Sequence, residues 1–569
     1  MITQNDAIPQ AADQTASQEQ LLSNLRALAT RNPSLVERLC WPVNNSHILT
    51  DPVSGKTLYQ FHAQHLELDI SDELLQATSE GLPDHQDIFL FACGLGEQLA
   101  DIVKKFPDRH VTVWERDPWL LRLALSRYDF NAAIQDERIT FLLGIDLLEA
   151  VKKIRKSPVI SHPILQAVYA PEWWFVQEEN AVSPPFAAVA AGELFVDDII
   201  DSLPEFGYSP WLLDFRRLSL EELEYSIEKL KPDFVFSTNY QNGLAEFCHK
   251  HNLPLLCWEV DPHLDDLRVK GDAARVLSYF SYNKANLARL SRSSFNTTRY
   301  LPLATNPERR FPEQAKTEAA FPVAFVGSSM VQQVAEARQN FLSLYERTAS
   351  AQEQRIWPGD TLLQAICEDQ ARDFTRFLIP DSLQTRVPHF YQNNQQQGTL
   401  NAVMLIGEIM AAEKRLTYLN SLSDIGVHVW GDPGWTANIT EGVHWHGYAG
   451  HRNELNSIYS SAAINIDISR LYQMEIIPMR VFDILACKGF LITEYSDELA
   501  SHFLIGVELE TYKTIGELRE KVRYYLANPE RRQDIASQGY RAVRERHTIR
   551  QRLQVIFDAA RIQQQARTS

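Results

Sequence analysis

The sequence predicts an α/β protein with three parallel-sheet domains in series. Short apolar runs alternate with stretches of helical periodicity, which is typical of parallel strands joined by crossover helices. This alternation starts afresh three times along the chain. At 569 residues the chain is also too long for a single core, because domains typically hold about 100–200 residues. The expected fold class is therefore three Rossmann-like domains in series.

The first domain is expected over residues 41–180, after a flexible tail and a helix at 1–40. Residues 1–20 are polar and predict a frayed tail, and leucines at helical spacing then predict a helix that ends near Asn32-Pro33. The strands of this domain are predicted at 88–92, 110–115 and 139–143.

The second and third domains are expected over residues 186–310 and 320–569. A polar helical insertion is predicted near 350–420, and amphipathic helices are predicted to close the chain. Buried strands of the third domain are predicted at 322–327, 427–431, 463–467 and 490–493.

The charge balance excludes some classes of partner. Lysine and arginine number 55 against 73 aspartates and glutamates, which gives a formal net charge of −18. A chain this acidic has no overall field that attracts nucleic acid or anionic lipid. A phosphate-bearing ligand therefore needs a local basic site.

Cysteine usage and the amino terminus indicate a cytoplasmic protein. The six cysteines are scattered without a CxxC pair, which favours reduced, buried thiols. The first residues lack the basic and apolar regions of a signal peptide, and no apolar run reaches the ~18 residues of a membrane span. The sequence leaves the oligomeric state open.

The strongest functional pattern lies between residues 463 and 495. A buried strand leads through a loop into a helix predicted to start near Pro478, since proline suits the first helical position. The backbone amides near Met479 and the guanidinium of Arg480 would then lie together at the helix start. Aligned amides, the helix dipole and a bidentate cation together favour a pyrophosphate.

Two acidic residues, Glu475 and Asp483, flank this arginine with seven residues between them. Asp483 could accept hydrogen bonds from ribose hydroxyls, and Glu475 could contact sugar hydroxyls. Spacing alone also fits an ordinary strand–helix unit with a capping arginine and a solvated acid.

The segment resembles the donor half of GT-B glycosyltransferases, specifically the CgeB-like (spore-maturation) group. In that group a strand, an Arg-x-Phe-Glu/Asp helix start, a small-residue turn and an apolar strand follow in this order. Residues 325–329, 429–435, 517–532 and 547–552 resemble further segments of the group in the same order. Lys488 departs from it, because the group usually has glycine at this point of the turn.

The resemblance implies a glycosyltransferase that uses a nucleotide-sugar donor, a UDP- or GDP-sugar. Gly327, Ser328 and Gly431 would line the donor site with Met479 and Asp483, and Arg480 and Glu475 would be catalytic. The acid-x7-acid spacing of the wider retaining class implies retention of the anomeric configuration. Such enzymes generally need no bound metal, and no further cofactor is expected.

The second domain resembles the acceptor half of the same fold. Polar residues follow its buried strands, and Asp261 and His263 are candidates for positioning the acceptor or taking its proton. The alternative is that Asp261 starts a turn and His263 is solvated. Three histidines at 444–451 lack a companion carboxylate or thiol at ligand spacing, so a loop is favoured over a metal site.

The first domain carries a different glycine pattern. Gly94 and Gly96 follow a predicted strand, and Glu115 closes the next strand 19 residues after Gly96. This resembles class I S-adenosylmethionine methyltransferases, although the last glycine of their loop is missing. The domain could be a silent module used for docking, a nucleotide-binding module or a working methyltransferase.

The leading hypothesis is a glycosyltransferase acting on a glycan, lipid-linked or protein acceptor. The alternatives are an S-adenosylmethionine-dependent methyltransferase and a non-catalytic sugar-binding or assembly protein with the same fold.

Overall fold

The computed structural model describes residues 11–61, 64–79, 86–154, 157–177, 185–192, 194–261, 267–290, 295, 298–313, 319–396, 401–450, 454–473 and 475–568. The chain divides into two compact units. The first holds Met1–Thr238 and Lys250–Leu255, and the second holds Asn239–His249 and Leu256–Ser569.

The first unit begins with helices and contains strands β1 to β10. Its strands are β1 Ile48–Thr50, β2 Thr57–Phe61, β3 Gln64–Glu67, β4 Ile88–Phe91, β5 Val111–Glu115, β6 Ile139–Leu143, β7 Val159–Ser161, β8 Phe186–Ala190, β9 Ser209–Leu213 and β10 Phe234–Thr238. Its helices are α1 Ala11–Arg31, α2 Pro33–Cys40, α3 Asp72–Ser79, α4 Glu97–Lys105, α5 Pro118–Arg127, α6 Asn131–Gln135, α7 Leu147–Ile154, α8 Leu165–Val168, α9 Ala170–Gln177, α10 Val196–Ser202 and α11 Leu220–Leu230.

The amino-terminal helices follow local sequence signals. Helix α1 ends at Arg31, as predicted, and the Asn32 side chain caps α2 by accepting the Leu35 amide at 3.0 Å. Pro33 occupies the first turn of α2. Helix α1 already begins at Ala11, which is earlier than the predicted tail allows, while residues 1–10 lie outside the described part of the chain.

The predicted strands β4, β5 and β6 form one sheet, and β7, which was not predicted, adds a fourth strand to it. The order is β6-β5-β4-β7 and the pairs are parallel, with Phe91 opposite Trp114 and Ser161. Every residue of β4 is buried, which explains the uninterrupted apolar run. The antiparallel sheet β1-β2-β3 was not predicted.

The remaining elements belong mainly to the second unit. Its strands are β11 Leu255–Glu259, β12 Leu277–Ser281, β13 Thr298–Tyr300, β14 Phe321–Val326, β15 Val427–Trp430, β16 Val443–Trp445, β17 Ala462–Ile466, β18 Leu491–Glu494 and β19 Glu510–Tyr512. Its helices are α12 Leu244–Lys250, α13 Lys284–Leu290, α14 Val331–Thr348, α15 Ala351–Ile356, α16 Gly359–Arg372, α17 Ile379–Arg386, α18 Pro388–Gln396, α19 Ala402–Asn420, α20 Glu454–Ser461, α21 Met479–Ala486, α22 Asp497–His502, α23 Ile515–Ala527, α24 Pro529–Arg546 and α25 Ile549–Thr568.

Two six-stranded sheets complete the series. Strands β8 to β13 follow the order β13-β12-β11-β10-β8-β9. Strands β14 to β19 follow the order β16-β15-β14-β17-β18-β19, and each neighbouring pair is parallel. The predicted fold class, an α/β protein with Rossmann-like sheets in series, is confirmed.

The core of the last domain packs this sheet against the helical insertion. Phe325 and Ile464 from the strands lie in one buried cluster with Phe341, Ile406 and Tyr418 from α14 and α19. The six cysteines are free thiols; four of them are buried, as predicted, whereas Cys40 is exposed and Cys367 is half-buried. Among the described residues, no helix is both long enough and apolar enough to cross a bilayer.

Candidate anion-binding site

The site lies at the carboxyl ends of the parallel strands β14, β15 and β17. The chain places β15 on one side of β14 and, later, β17 on the other side. This arrangement makes a topological switch point beside β14, where open α/β sheets bind their ligands. Gly327, Gly431 and Asp467 are the first residues beyond these three strands.

Gly327 and Gly431, both predicted in the site, lie against each other. A Cβ at Gly431 would be 2.2 Å from the carbonyl oxygen of Gly327. That oxygen accepts a hydrogen bond from Trp435 Nε1 at 3.0 Å, and the Gly327 amide donates to the Trp430 carbonyl at 2.9 Å. Glycine at 431 is therefore required for the close approach of the two strand ends.

Ser328 lies in the turn that follows Gly327. Its hydroxyl donates to Asp432 Oδ2 at 2.7 Å, and the Ser329 hydroxyl donates to Oδ1 at 2.5 Å. Burial raises the pKa of the Asp432 carboxyl, but the hydrogen bonds from Ser329 and Ser328 outweigh burial, so this pKa lies below its ordinary value. The turn is thus fixed by an ionised carboxylate.

Arg480 extends from the start of α21 to Gly327. Its guanidinium pairs with Asp467, which is fully buried, and its Cζ lies 5.2 Å from the ring centroid of Phe325. A Cβ at Gly327 would be 3.0 Å from Arg480 Nη2. The side chain of Arg480 keeps 20% of its surface exposed, so the guanidinium is paired on one side and accessible on another.

Arg415 of α19 approaches the same point from the helical insertion. It is 5% exposed, its Nη1 donates to the Ser328 carbonyl at 2.5 Å, and its Nε is buried without a hydrogen-bond partner. Burial, followed by the charges of Arg480 and Arg470, lowers the pKa of Arg415 to about 9. A buried cation with an unused donor beside two further cations favours an anionic ligand.

Arg470 is the third cation. Its Nη1 donates to Glu408 Oε1 at 3.1 Å and to the Tyr472 hydroxyl at 2.6 Å, and Tyr472 also donates to Glu408. We call Arg415, Arg470 and Arg480 the arginine cluster.

A buried ion pair is linked to the arginine cluster through Ser469 and Asp467. Lys414, which is fully buried, contacts Glu494 at 2.6 Å and donates to the Ser469 carbonyl at 3.1 Å. Ser469 and Thr493 hydroxyls donate to Asp467 Oδ2 at 3.4 and 3.1 Å. Asp467 therefore holds Arg480 with one oxygen and is itself held through the other.

The predicted helix start is displaced by one residue. Helix α21 begins at Met479, and Pro478 is its N-cap residue with an extended backbone, so the proline precedes the first helical position. Met479 lies in the first turn, as predicted. The Val481 amide donates to the Pro478 carbonyl at 3.0 Å, which leaves fewer amides at the helix start than the sequence suggested.

The two predicted acids have different surroundings. Glu475 is exposed. Asp483 is buried, and its two oxygens already accept hydrogen bonds from Thr305 and Arg310. The predicted contacts of both acids with a sugar donor stay predictions.

Lys488 takes the left-handed conformation that its glycine counterpart would adopt, with φ 57°. The Lys488 amide donates to the Leu485 carbonyl at 3.0 Å, and the Gly489 amide donates to the Ile484 carbonyl at 2.9 Å. These two bonds form a Schellman motif at the end of α21. Gly489 is needed for space, because a Cβ there would lie 2.7 Å from the Tyr459 carbonyl oxygen.

Asp261 follows β11 and lies near the arginine cluster. Burial lowers the pKa of Arg470, but Tyr472, Glu408 and, with the smallest contribution, Asp261 raise it above its ordinary value. Tyr282, after β12, has a buried hydroxyl without a partner, and burial followed by the charges of Glu259 and Asp261 raises its pKa. His263 lies outside the described residues.

The histidine tract forms an aromatic stack. His428 Nδ1 and His446 Nε2 are 2.8 Å apart, and the His446 ring stacks on Trp430 with centroids 4.6 Å apart. His444 is exposed, and residue 451 is not described. No group of three or more metal-ligating side chains occurs among the residues that the structure describes.

The glycine loop of the first domain is filled by the domain's own side chains. A Cβ at Gly94 would lie 2.4 Å from the His162 ring, and one at Gly96 would lie 3.0 Å from Ala124. Both glycines have positive φ, so internal packing and backbone conformation explain them without a ligand.

Glu115 is fully buried and its carboxylate is already hydrogen-bonded. It accepts from the amides of Gly94 and Asp117, both at 3.1 Å, and from the Tyr169 hydroxyl at 2.7 Å. Burial raises the pKa of Glu115 to about 7. These contacts favour the silent-module interpretation, and nucleotide binding in this domain stays a prediction.

Sequence reasoning missed three residues of the site. Asp467 and Arg470 follow the buried strand β17 directly, so their position beyond a strand end was a usable signal. Arg415 lies inside α19, and nothing in the helical periodicity marks it as part of a site.

The comparisons with known proteins bear on this part of the chain. Residues 413–558 match a family model described as "Glycosyl transferase-like". All three arginines of the cluster lie within the matched residues. A comparison with the curated proteins finds no match.

Several solved structures are similar to the chain. A glycosyltransferase from Rickettsia africae ESF-5 has 9% identity and a TM-score of 0.36, over 84% of this chain and 99% of that one. The T4 phage β-glucosyltransferase in complex with its UDP-glucose substrate has 10% identity and a TM-score of 0.36, over 66% and 98%. A sucrose-phosphate synthase from Thermosynechococcus elongatus has 11% identity and a TM-score of 0.35, over 85% and 100%.

Proposed function

We propose that this protein is a GT-B glycosyltransferase and that the arginine cluster binds the diphosphate of a nucleotide-sugar donor. One observation carries the proposal: Arg415 is buried, with an unpaired Nε, beside two further arginines at the switch point of the sheet. The family match over residues 413–558 supports a sugar-transfer chemistry at this site.

The arginine cluster would act most strongly as the glycosidic bond breaks. The sugar moves to an acceptor hydroxyl, and the nucleoside diphosphate leaves with increased negative charge. Fixed guanidinium groups stabilise that charge more than they stabilise the bound donor, and this difference accelerates the reaction. Asp261 and His263 remain the proposed groups for positioning the acceptor hydroxyl or taking its proton.

The donor class, the metal requirement and the stereochemistry of transfer are proposals as well. We propose a UDP- or GDP-sugar as donor, transfer without a metal ion, and retention of the anomeric configuration. The acceptor would be a glycan, a lipid-linked sugar or a protein. The predicted cytoplasmic location stays a prediction.

A donor panel tests the proposed function. The purified protein is incubated with UDP-, GDP- and CMP-sugars, with and without EDTA, and nucleotide release and transfer are measured. We expect turnover of one donor class, resistance to EDTA, and a loss of kcat of about 10²-fold or more in Arg480→Gln. NMR of the product anomer tests retention.

Arg523→Gln is the matched control, because Arg523 is an exposed arginine paired with Asp424. Its kcat should equal that of the wild type. Failure to turn over any donor, together with heat release on titration with S-adenosylmethionine, would favour the methyltransferase alternative.

A further inference from the structure

The carboxylate of Asp483 is bonded to a chain segment distant in sequence. Thr305 Oγ1 donates to Oδ1 at 2.6 Å, and Arg310 Nε donates to Oδ2 at 3.1 Å. Asp483 is 5% exposed and Thr305 is 1% exposed. Each oxygen therefore has a protein donor in a site shielded from solvent.

The segment 301–310 is itself fixed from its other side. The Thr305 amide donates to the His547 carbonyl at 3.1 Å, and the Ile549 amide donates to the Thr305 carbonyl at 2.9 Å. Arg552 of α25 donates to the carbonyls of Pro302 and Leu303 at 2.8 and 3.1 Å. The Thr305 hydroxyl is thus a fixed donor.

Helix α21 is short and lacks a side-chain cap. It has eight residues, and its N-cap residue Pro478 makes no side-chain capping bond. Arg480 and Asp483 are three positions apart, which places them one turn apart on the same side of the helix. The hydrogen bonds to Asp483 therefore fix the helical turn that carries Arg480.

We propose that Asp483 is a positioning residue that fixes the helix of Arg480 through Thr305 and Arg310. The inference rests on the proposed function for its link to donor binding. Its structural part, the attachment of α21 to segment 301–310, holds in the free protein.

Hydrogen exchange of the free protein tests the attachment. Thr305→Val keeps the side-chain shape but leaves Asp483 Oδ1 without its donor, whereas Thr305→Ser keeps the hydroxyl. We expect amides of residues 479–487 to exchange about tenfold faster in Thr305→Val and at the wild-type rate in Thr305→Ser. Equal exchange in both variants would overturn the proposal. Arg310→Met removes the second donor and serves as the test if Thr305→Val does not fold.

Binding of inorganic pyrophosphate and of UDP separates positioning from ribose contact. Pyrophosphate has no ribose, so a positioning role predicts that Thr305→Val weakens both ligands by the same factor, about 3- to 10-fold, while Thr305→Ser restores both affinities. A ribose contact predicts that Asp483→Asn weakens UDP alone and that Thr305→Val changes neither, which would contradict the proposal. If the wild type binds neither ligand, the proposed function fails, and the exchange rates still decide the positioning role.

Discussion

Replacing Arg415 by methionine should stabilise the fold and weaken anion binding together. The wild-type guanidinium is buried near Arg480 and Arg470, and burial followed by these two charges lowers its pKa to about 9. Near pH 7 the group is charged in both the folded and the unfolded chain, so the folded state carries the unfavourable energy of burying that charge. Methionine fills a similar space without charge.

The magnitude follows from the pKa and from the bond that is lost. The displacement of this pKa corresponds to ~5 kcal/mol. Losing the bond from Nη1 to the Ser328 carbonyl, 2.5 Å long, costs about 1.5–3 kcal/mol because the donor is charged. The difference is a net stabilisation of about 2–3.5 kcal/mol, which raises the Tm of a domain of this size by roughly 4–14 °C.

Calorimetry with and without inorganic pyrophosphate measures both effects. We expect Arg415→Met to melt higher than the wild type without ligand and to lose most of the ligand-induced rise in Tm. Arg523→Met, at an exposed arginine, should change neither. A variant that melts lower than the wild type, or that keeps the full rise with pyrophosphate, would refute this reasoning.

Three further predictions address the turns around the site and its pH response. Gly327→Ala adds a Cβ 3.0 Å from Arg480 Nη2, so we expect titration to show about tenfold weaker pyrophosphate binding, and an unchanged affinity would contradict this expectation. In Gly431→Ala the added Cβ would lie 2.2 Å from a backbone oxygen, so this variant should instead have a strongly lowered Tm. Lys488→Gly relieves a left-handed residue and should raise the free energy of unfolding by about 0.5–1 kcal/mol in urea melts, whereas a lower midpoint would show that φ 57° carries no strain. Burial, followed by the charges of Arg552 and His502, lowers the pKa of His547 to about 3. The imidazole of the unfolded chain therefore binds a proton near pH 6.5, whereas that of the folded chain stays neutral until about pH 3. The free energy of unfolding consequently falls as the pH drops from about 6.5 towards 3. Urea melts between pH 4 and 7 should show a shallower acid loss in His547→Gln, and identical slopes would contradict the assignment.

The parallel sheets were predictable because their strands are continuous buried apolar runs. Strands β4, β15 and β17 coincide with runs that the sequence makes obvious. Sheet β1-β2-β3 was not predicted because its strands are short and partly exposed. Burial alternates along β2, and β3 has no buried residue. The sequence of this sheet therefore resembles that of a loop.

Only the part of the candidate site that follows from the local order of strand, loop and helix was predictable. Arg480 was found because a helix start after a buried strand is a local pattern. Arg415 comes from a helix in the insertion, and its approach to Ser328 depends on tertiary packing that no spacing encodes. Asp483 illustrates the reverse case, since a suggestive spacing coincides with contacts to Thr305 and Arg310 that the sequence could not reveal.

Direct titration with inorganic pyrophosphate tests the central claim, that the arginine cluster binds a diphosphate. The account predicts binding to the wild type and to Arg523→Gln, and a loss of affinity of about tenfold or more in Arg480→Gln. Equal affinity in Arg480→Gln, or no binding to the wild type, would contradict it.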